Sequence, residues 1–474
     1  MALAVIALCL LMTTCVALRD VRVALLLSVF LLPFSGLDVD VGLRVTMYQV
    51  ALLPVVLISV ARLTQPGFTP PAIAAGALFA AFLLWSMIWS LLQLGVIPQP
   101  QVGDSILRSP SVRAVIQIML LVFALSPIFV SPMVIDRMDD VRRMGRLYIA
   151  GVVVLAIIGW AQLAIWYATG TNPIPVEAFN AWLGGSNSAE ISGSFGFESL
   201  NIYRMNSFAG EPRELAIAAC LAILMLQAHA LTARNPGGWR LALIWLLLFV
   251  TMLATFSTSG LGLWLIASLT LIPACLLFRI PLARSPAQLL GAAAAFIVPT
   301  VMVIAAIQSS GFDIIGLLSE RTIERLGGDG AIEDFDLAIL SFLASHPGAA
   351  IAGTGLGNAH LYATPYLDPL FALYAEGNVF IAKTLYLRLI SEVGIIGFFL
   401  FLGWYFWLAV QARLAVSANR PIGAMIPIAG AVLVVNLGSV LATSMTFAAA
   451  AAMTTICAIG YRQAAPLSAS PLPA

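Results

Sequence analysis

The residues best suited to chemistry lie between positions 309 and 386, in a mostly polar stretch of a chain otherwise made of apolar runs. It contains Glu320-Arg321-Thr322-Ile323-Glu324-Arg325, then Gly353-Thr354-Gly355-Leu356-Gly357-Asn358, then His360. Arg321 and Arg325 are four residues apart, so on a short helix they share a face. Two guanidinium groups side by side make a clamp for phosphate oxygens. The same spacing also suits a solvated helix in which Glu320 and Glu324 pair with the arginines. The glycine run has no lysine and follows no strand, so it does not match a nucleotide loop. It reads as a flexible turn that lets backbone approach a substrate closely. His360 can take a proton near neutral pH. His346, followed by Pro347-Gly348, reads as the end of a short amphipathic helix over 337–345, and His229 as a helix-end residue.

A second polar stretch, 169–212, is rich in aromatic and small residues and runs into Ser207-Phe208-Ala209-Gly210-Glu211-Pro212-Arg213-Glu214. Proline favours the first turn of a helix, which predicts a span beginning at Pro212. Arg213 then stands at a helix N-terminus, where exposed N–H groups and a guanidinium together suit an anion such as diphosphate. The competing reading has Arg213 reaching for the interface or pairing with Glu211 or Glu214. Further binding candidates are Arg204 in this stretch, and Asn358, Tyr362, Lys383 and Arg388 in or just after the longer one. Thr255-Phe256-Ser257-Thr258-Ser259-Gly260, between two apolar runs, is too short for an ordinary loop and reads as a tight turn or helix break.

These groups must be positioned by membrane helices. The 474 residues are 61% hydrophobic and 9% charged, with a mean hydropathy of +1.01. A soluble domain of this size cannot cover itself with so little charge. The apolar runs are continuous over about 20 residues and do not alternate, which excludes a barrel. The expected fold is an all-α polytopic membrane protein of about 12–14 spans with a large outer loop containing short helices. The spans fall near 2–18, 23–36, 45–61, 72–96, 113–134, 147–168, 213–231, 241–256, 260–278, 287–308, 389–410, 422–439 and 442–460. The chain divides into N-terminal helices 1–168, an outer loop 169–212, central helices 213–308, a large loop 309–388, C-terminal helices 389–462 and a tail 463–474. The first run lacks a basic leader and reads as a retained helix. The five cysteines all lie in apolar runs and suggest neither disulfide nor metal site.

Arginine sets the orientation. One set of short loops carries Arg19, Arg62, Arg137, Arg142, Arg143, Arg234, Arg279, Arg413 and Arg462, and is expected on the cytoplasmic side. The opposite loops carry most of the acids, so both long polar stretches face outward and the C-terminus inward. No nucleotide is at hand on the outer side. Group transfer there needs a substrate that carries its own activation, such as a lipid-linked diphosphate. A net charge of +1 gives no sign of nucleic-acid binding.

In order and spacing, these pieces resemble the O-antigen polymerase and ligase superfamily of bacterial envelope glycosyltransferases, of the GT-C type. The resemblance covers roughly residues 200–410. It rests on Phe208-Ala-Gly-Glu-Pro-Arg213 at a span start, Leu253-Ala-Thr-Phe-Ser257 with Ser259-Gly260 between spans, Arg325…His346-Pro347…Gly353-Thr-Gly-Leu-Gly357, and Leu385-Tyr-Leu-Arg-Leu-Ile-Ser-Glu392-Val-Gly394-Ile-Ile-Gly397 entering the next span. The resemblance implies a multi-pass protein of the bacterial inner membrane whose active site faces the periplasm. It implies metal-independent and cofactor-free transfer of a glycan from undecaprenyl diphosphate to a sugar acceptor. Arg213 and Arg325 would hold the diphosphate, with Arg321 as a second clamp, and His360 or Glu211 would deprotonate the acceptor. The implied partners are the lipid-linked donor, a glycan or lipid A–core acceptor, membrane lipids and other polysaccharide-assembly proteins.

The chain departs from the ligase pattern in two places. About thirty residues separate His360 from Glu392, where typical ligases have a short gap, and this segment carries Tyr362, Tyr366, Tyr374, Glu376 and Lys383. Ser257-Thr258 also stands where the family has Ser-Arg. An aromatic-rich insertion suits a glycan-binding surface, which draws the chain toward a polymerase and away from a lipid A–core ligase. A transporter or flippase is the reading from another class. It fits the helix number but calls for ionisable residues in mid-membrane and paired broken helices, neither of which the sequence displays.

Overall fold

The structure is a computed structural model. It describes residues 2–40, 44–65, 76–96, 109–170, 195–197, 200–233, 238–283, 334–367, 382–416, 420–437 and 443–464, with isolated positions between 301 and 316. Arg321, Arg325 and most of the expected span 287–308 lie outside the described residues.

The chain opens with α1 (Ala2–Arg19) and α2 (Val21–Leu31), separated by Asp20, whose carboxylate caps α2 by accepting the Arg22 and Val23 N–H groups. After a small ladder of β1 (Asp38–Asp40) and β2 (Arg44–Thr46), a capping box between Thr46 and Gln49 starts α3 (Met47–Leu63). Then come α4 (Gly76–Gln93), α5 (Pro110–Val134) and α6 (Met138–Thr169). A second ladder, β3 (Phe195–Phe197) with β4 (Leu200–Ile202), precedes α7 (Pro212–Thr232), α8 (Gly238–Ala254) and α9 (Thr258–Leu277). Three short helices follow: α10 (Asp334–Ser345), α11 (Pro347–Ala352) and α12 (Ala359–Ala363). The chain closes with α13 (Leu385–Ala415), the single turn α14 (Arg420–Gly423), α15 (Met425–Val435) and α16 (Thr443–Ala464).

Among the described residues, seven helices, α4, α5, α6, α7, α9, α13 and α16, are long and apolar enough to cross a membrane. The protein is an all-α, multi-pass membrane protein. The expected span 23–36 is corrected: its helix, α2, has 11 residues and reaches only about 16 Å, about half of a bilayer's hydrocarbon. The expected span 422–439 is occupied by α14 and α15, with Ala424 between them also in the helical region, and residues 438–439 lie outside the described residues. Pro33 and the turn at 35–36 stop α2 early, because Gly36 must pack against the backbone of Gly210.

Helices α7 and α16 are buried on nearly all sides. Both are rich in small residues: Ala216, Ala218, Ala219, Ala222 and Ala228 in one, Ala449 to Ala452 in the other. Lipid tails are as apolar as leucine, so helices in a bilayer associate where small residues let backbones come close. Around these two, α5 and α13 pack on α16, and α6, α8, α9 and α15 pack on α7. Outer faces carry exposed leucines, as at Leu92, Leu269 and Leu276.

Candidate active site

The site begins with a broken helix. In α13, Gly394 has φ 74° and ψ 176°, which interrupts the helix after Val393. The carbonyls that lose their helical partners are taken up by other parts of the chain. Ser391 O accepts the N–H and hydroxyl of Thr354 at 2.9 and 2.8 Å, and Glu392 O accepts the Gly355 N–H at 2.9 Å. Val393 O accepts the Trp85 indole N–H at 2.8 Å, and Gly353 O accepts that of Trp89 at 2.9 Å. The two indoles stack with centroids 5.3 Å apart. Leu356 N–H donates to Ser90 Oγ at 2.9 Å, tying the glycine run to the end of α4.

This corrects the reading of the glycine run as a flexible turn facing a substrate. Residues 353–360 are all buried. Glycine is required for close backbone approach, but the surface approached is the protein's own. A Cβ on Gly353 would sit 2.4 Å from Glu392 O, and one on Gly357 2.3 Å from the Gln117 side chain.

The docked segment carries His360 against the first turn of α5. Arg113 Nη1 lies 3.4 Å from His360 Nε2. A guanidinium can only donate, so Nε2 is the acceptor and the imidazole N–H is on Nδ1, directed to Gly357 O. Burial first, and the Arg113 charge second, push the imidazole down to about 3, against a small upward pull from Gly357. The first turns of α13 add Arg388, whose Nε is 3.1 Å from Glu392 Oε1. The Arg113 charge reaches both of these groups. Beside them Asn358 is fully buried, and neither its amide nitrogen nor its oxygen has a hydrogen-bond partner among the described residues. Arg113 Nε is in the same condition. A buried polar group left unmade costs about 1–3 kcal/mol, so these atoms are available to a polar partner such as water or a substrate hydroxyl.

A second group of side chains is joined to the first by the backbone at Lys383. Arg213 stands at the second residue of α7, as the Pro212 start predicts. Its charge reaches Asp336, at the start of α10. Burial raises the Asp336 carboxyl, while the Lys383 N–H, donated to Oδ1 at 3.0 Å, and the Arg213 charge pull it back. Lys383 leads into the first turn of α13, which holds Arg388. Glu214 accepts the Ser35 hydroxyl at 2.9 Å. Glu211 is the N-cap residue of α7 by position, but its carboxylate makes no capping bond. Arg204 lies apart from His360: its Nε donates to Thr255 O at 3.0 Å and holds the loop to the turn between α8 and α9. That turn is tight, as expected, with Phe256 at φ 49° and Ser257 capping α9. The Tyr362 hydroxyl is buried, without a partner among the described residues, and raised by burial. His346 closes α10 and is N-cap to α11, with its ring stacked on Phe342 at 4.9 Å.

Of the residues the sequence singles out, His360, Asn358 and Arg388 lie together around Arg113, and Asp336 accepts the backbone N–H of Lys383 and feels the charge of Arg213. Arg113 was missed. It is an arginine at a span end that the charge pattern of the sequence assigns to the outer side, where the positive-inside rule expects few, and that misfit is the signal it offers. The structure joins the starts of α5, α7 and α13 with the end of α4, so the site lies at one end of the bundle. No known protein family matches the chain, and no curated protein matches it.

A stability effect follows from His360. Its proton affinity is higher in the unfolded chain, near 6.5, than in the fold, about 3. Its contribution is therefore complete above pH 6.5 and is lost as pH falls from there toward 3. Between pH 7.5 and pH 5 that loss is about 2 kcal/mol. The apparent melting temperature of the native protein should fall further over this interval than that of His360→Gln, which has no proton to take. Equal falls would mean that the imidazole is solvated.

Proposed function

We propose that the chain is a glycosyltransferase that takes oligosaccharide repeats from undecaprenyl diphosphate and joins them into O-antigen or exopolysaccharide at the periplasmic face of the bacterial inner membrane. The observation that carries this reading is the Arg113–His360 contact beside Arg388, Glu392 and the unspent Asn358 amide, at one end of a membrane bundle. Arginine charge and unsatisfied amide groups are what a diphosphate and a sugar require. The long segment between His360 and Glu392 favours a polymerase over a ligase.

In the reaction the acceptor hydroxyl oxygen attacks the anomeric carbon of the donor sugar. The bond from that carbon to the diphosphate oxygen breaks, and its electron pair leaves with the diphosphate. Arg113, Arg388 and Arg213 offset the charge that develops there, and Asn358 holds a sugar hydroxyl. The acceptor proton goes to His360 Nε2. Without donor, Arg113 occupies Nε2 and keeps the imidazole weakly basic. A diphosphate that draws Arg113 away uncovers Nε2 and puts negative charge in place of positive, which raises its basicity. The base then forms only when the donor is bound.

Purified protein in nanodiscs, given undecaprenyl-diphosphate oligosaccharide without nucleotide, should produce a ladder of lipid-linked products spaced by one repeat. Product formed only after lipid A–core is added would make it a ligase. Movement of the glycan across a liposome without transfer would make it a transporter. Arg213→Ala and Arg325→Ala should abolish the ladder at normal expression, and normal output from both would sink the diphosphate clamp. His360→Gln keeps an acceptor for Arg113 but cannot take the proton, so it should lower turnover with little change in donor affinity. Turnover close to native would move the base role to a carboxylate such as Glu211.

A further inference from the structure

A cavity of about 530 Å³ opens in the other half of the bundle, between α9, α13 and α15. Ala274, Phe278, Phe406 and Gly430 are among its walls. Its two hydroxyl-bearing residues, Thr270 and Tyr405, donate to the carbonyls of Ala267 and Ala429, so the walls offer a guest little but hydrocarbon. Leu277 and Phe406 line it while remaining 67% and 54% exposed, so it faces sideways out of the bundle. For a membrane protein that side is lipid.

One end of the cavity is charged. The carbonyl of Phe278 accepts Arg413 Nε at 2.6 Å, and the next carbonyl, of Arg279, accepts Arg413 Nη2 at 3.0 Å. Arg279 is itself exposed and turns the chain with φ 49°. The Arg413 guanidinium therefore sits at the rim, with exposed Arg279 one residue beyond the lining residue Phe278, and Arg413 commits only two of its five N–H groups to protein among the described residues. The run of α13 from Glu392 to Arg413 spans roughly 30 Å, about the thickness of a bilayer's hydrocarbon. This rim therefore lies at the membrane surface opposite the Arg113–His360 end.

We infer that this cavity binds an anionic phospholipid of the surrounding membrane, with an acyl chain between α9, α13 and α15 and the phosphodiester at Arg279 and Arg413. Apolar walls open to lipid provide for the chain, and cations at headgroup depth provide for the charge. Neither feature depends on the reaction proposed above. A lipid-linked donor is a poor fit, because its diphosphate would be a membrane's thickness from Arg113.

The test is native mass spectrometry of the delipidated full-length protein after titration with phosphatidylglycerol or phosphatidylcholine. The native protein should hold one tight phosphatidylglycerol at roughly tenfold higher occupancy than phosphatidylcholine. Gly430→Leu places a side chain in the cavity, where a Cβ meets only Ala274 at an ordinary 3.9 Å. It should lower phosphatidylglycerol occupancy by roughly tenfold. Arg279→Gln should bring the two lipids to similar occupancy. If Gly430→Leu does not fold, Ala409→Phe fills the same space from α13. Equal retention of the two lipids by the native protein would overturn the inference. So would native-level phosphatidylglycerol on a folded cavity-filling variant, or a polyprenyl diphosphate as the amphiphile held in native-membrane extracts.

Discussion

Arg113→Ala is expected to slow glycan transfer by roughly two to three orders of magnitude while the protein reaches the membrane at normal yield. The substitution takes a buried cation from the place where leaving-group charge would develop. It also frees His360 Nε2 in the resting state, so the base would no longer wait for the donor. The Arg388–Glu392 pair on α13 remains intact, and with it the docking of 353–360. Arg113→Lys should recover little, since an ammonium lacks the planar fork that spans two phosphate oxygens. Initial rates of ladder formation at saturating donor would decide the matter. A rate near that of the native protein would remove Arg113 from the reaction and leave it as an anchor for His360.

Gly394→Ala should release the docked segment altogether. With φ 74° and ψ 176°, Gly394 occupies a region that is essentially glycine's alone. A Cβ there would lie 2.2 Å from Ile351 O and 2.5 Å from the Ala352 carbonyl carbon. Either α13 straightens or residues 351–353 move away. Both outcomes break the bonds that Thr354, Gly355 and Trp85 make with Ser391, Glu392 and Val393. The amides of Thr354, Gly355 and Leu356 should lose their protection from hydrogen exchange, and transfer should fall to background with them. Unchanged protection at these three amides would mean that something other than the helix break holds the loop.

How far the sequence could be read depended on which residues interact locally. Spans such as α5 and α7 follow from apolar runs and from proline at a helix start, and both ends are set within a few residues. Pro212 placed Arg213 correctly for that reason. The glycine run was misjudged because its spacing shows that backbone must come close to something, not what. The partner is Glu392, some forty residues on, and its carbonyl is available only because Gly394 breaks a run that otherwise reads as unbroken helix. His360 reads as a base near neutral pH because it lies in a stretch outside the apolar spans. Its burial comes from α5, whose Arg113 lies 247 residues earlier in the chain. Asn358 gives no local sign of being left without partners, since that condition depends on every side chain around it.

The separation between Arg113 and the α13 break also has a consequence for biosynthesis. Synthesis at roughly 5–20 residues per second leaves the ribosome about a quarter of a minute to a minute to travel from one to the other. During that interval Trp85, Trp89 and Arg113 are already made, but the backbone and imidazole that will cover them are not. The early helices must hold a bare arginine at the membrane edge without misassembling. A nascent chain stalled before residue 353 would expose that arginine to reagents, and one stalled after residue 394 would protect it.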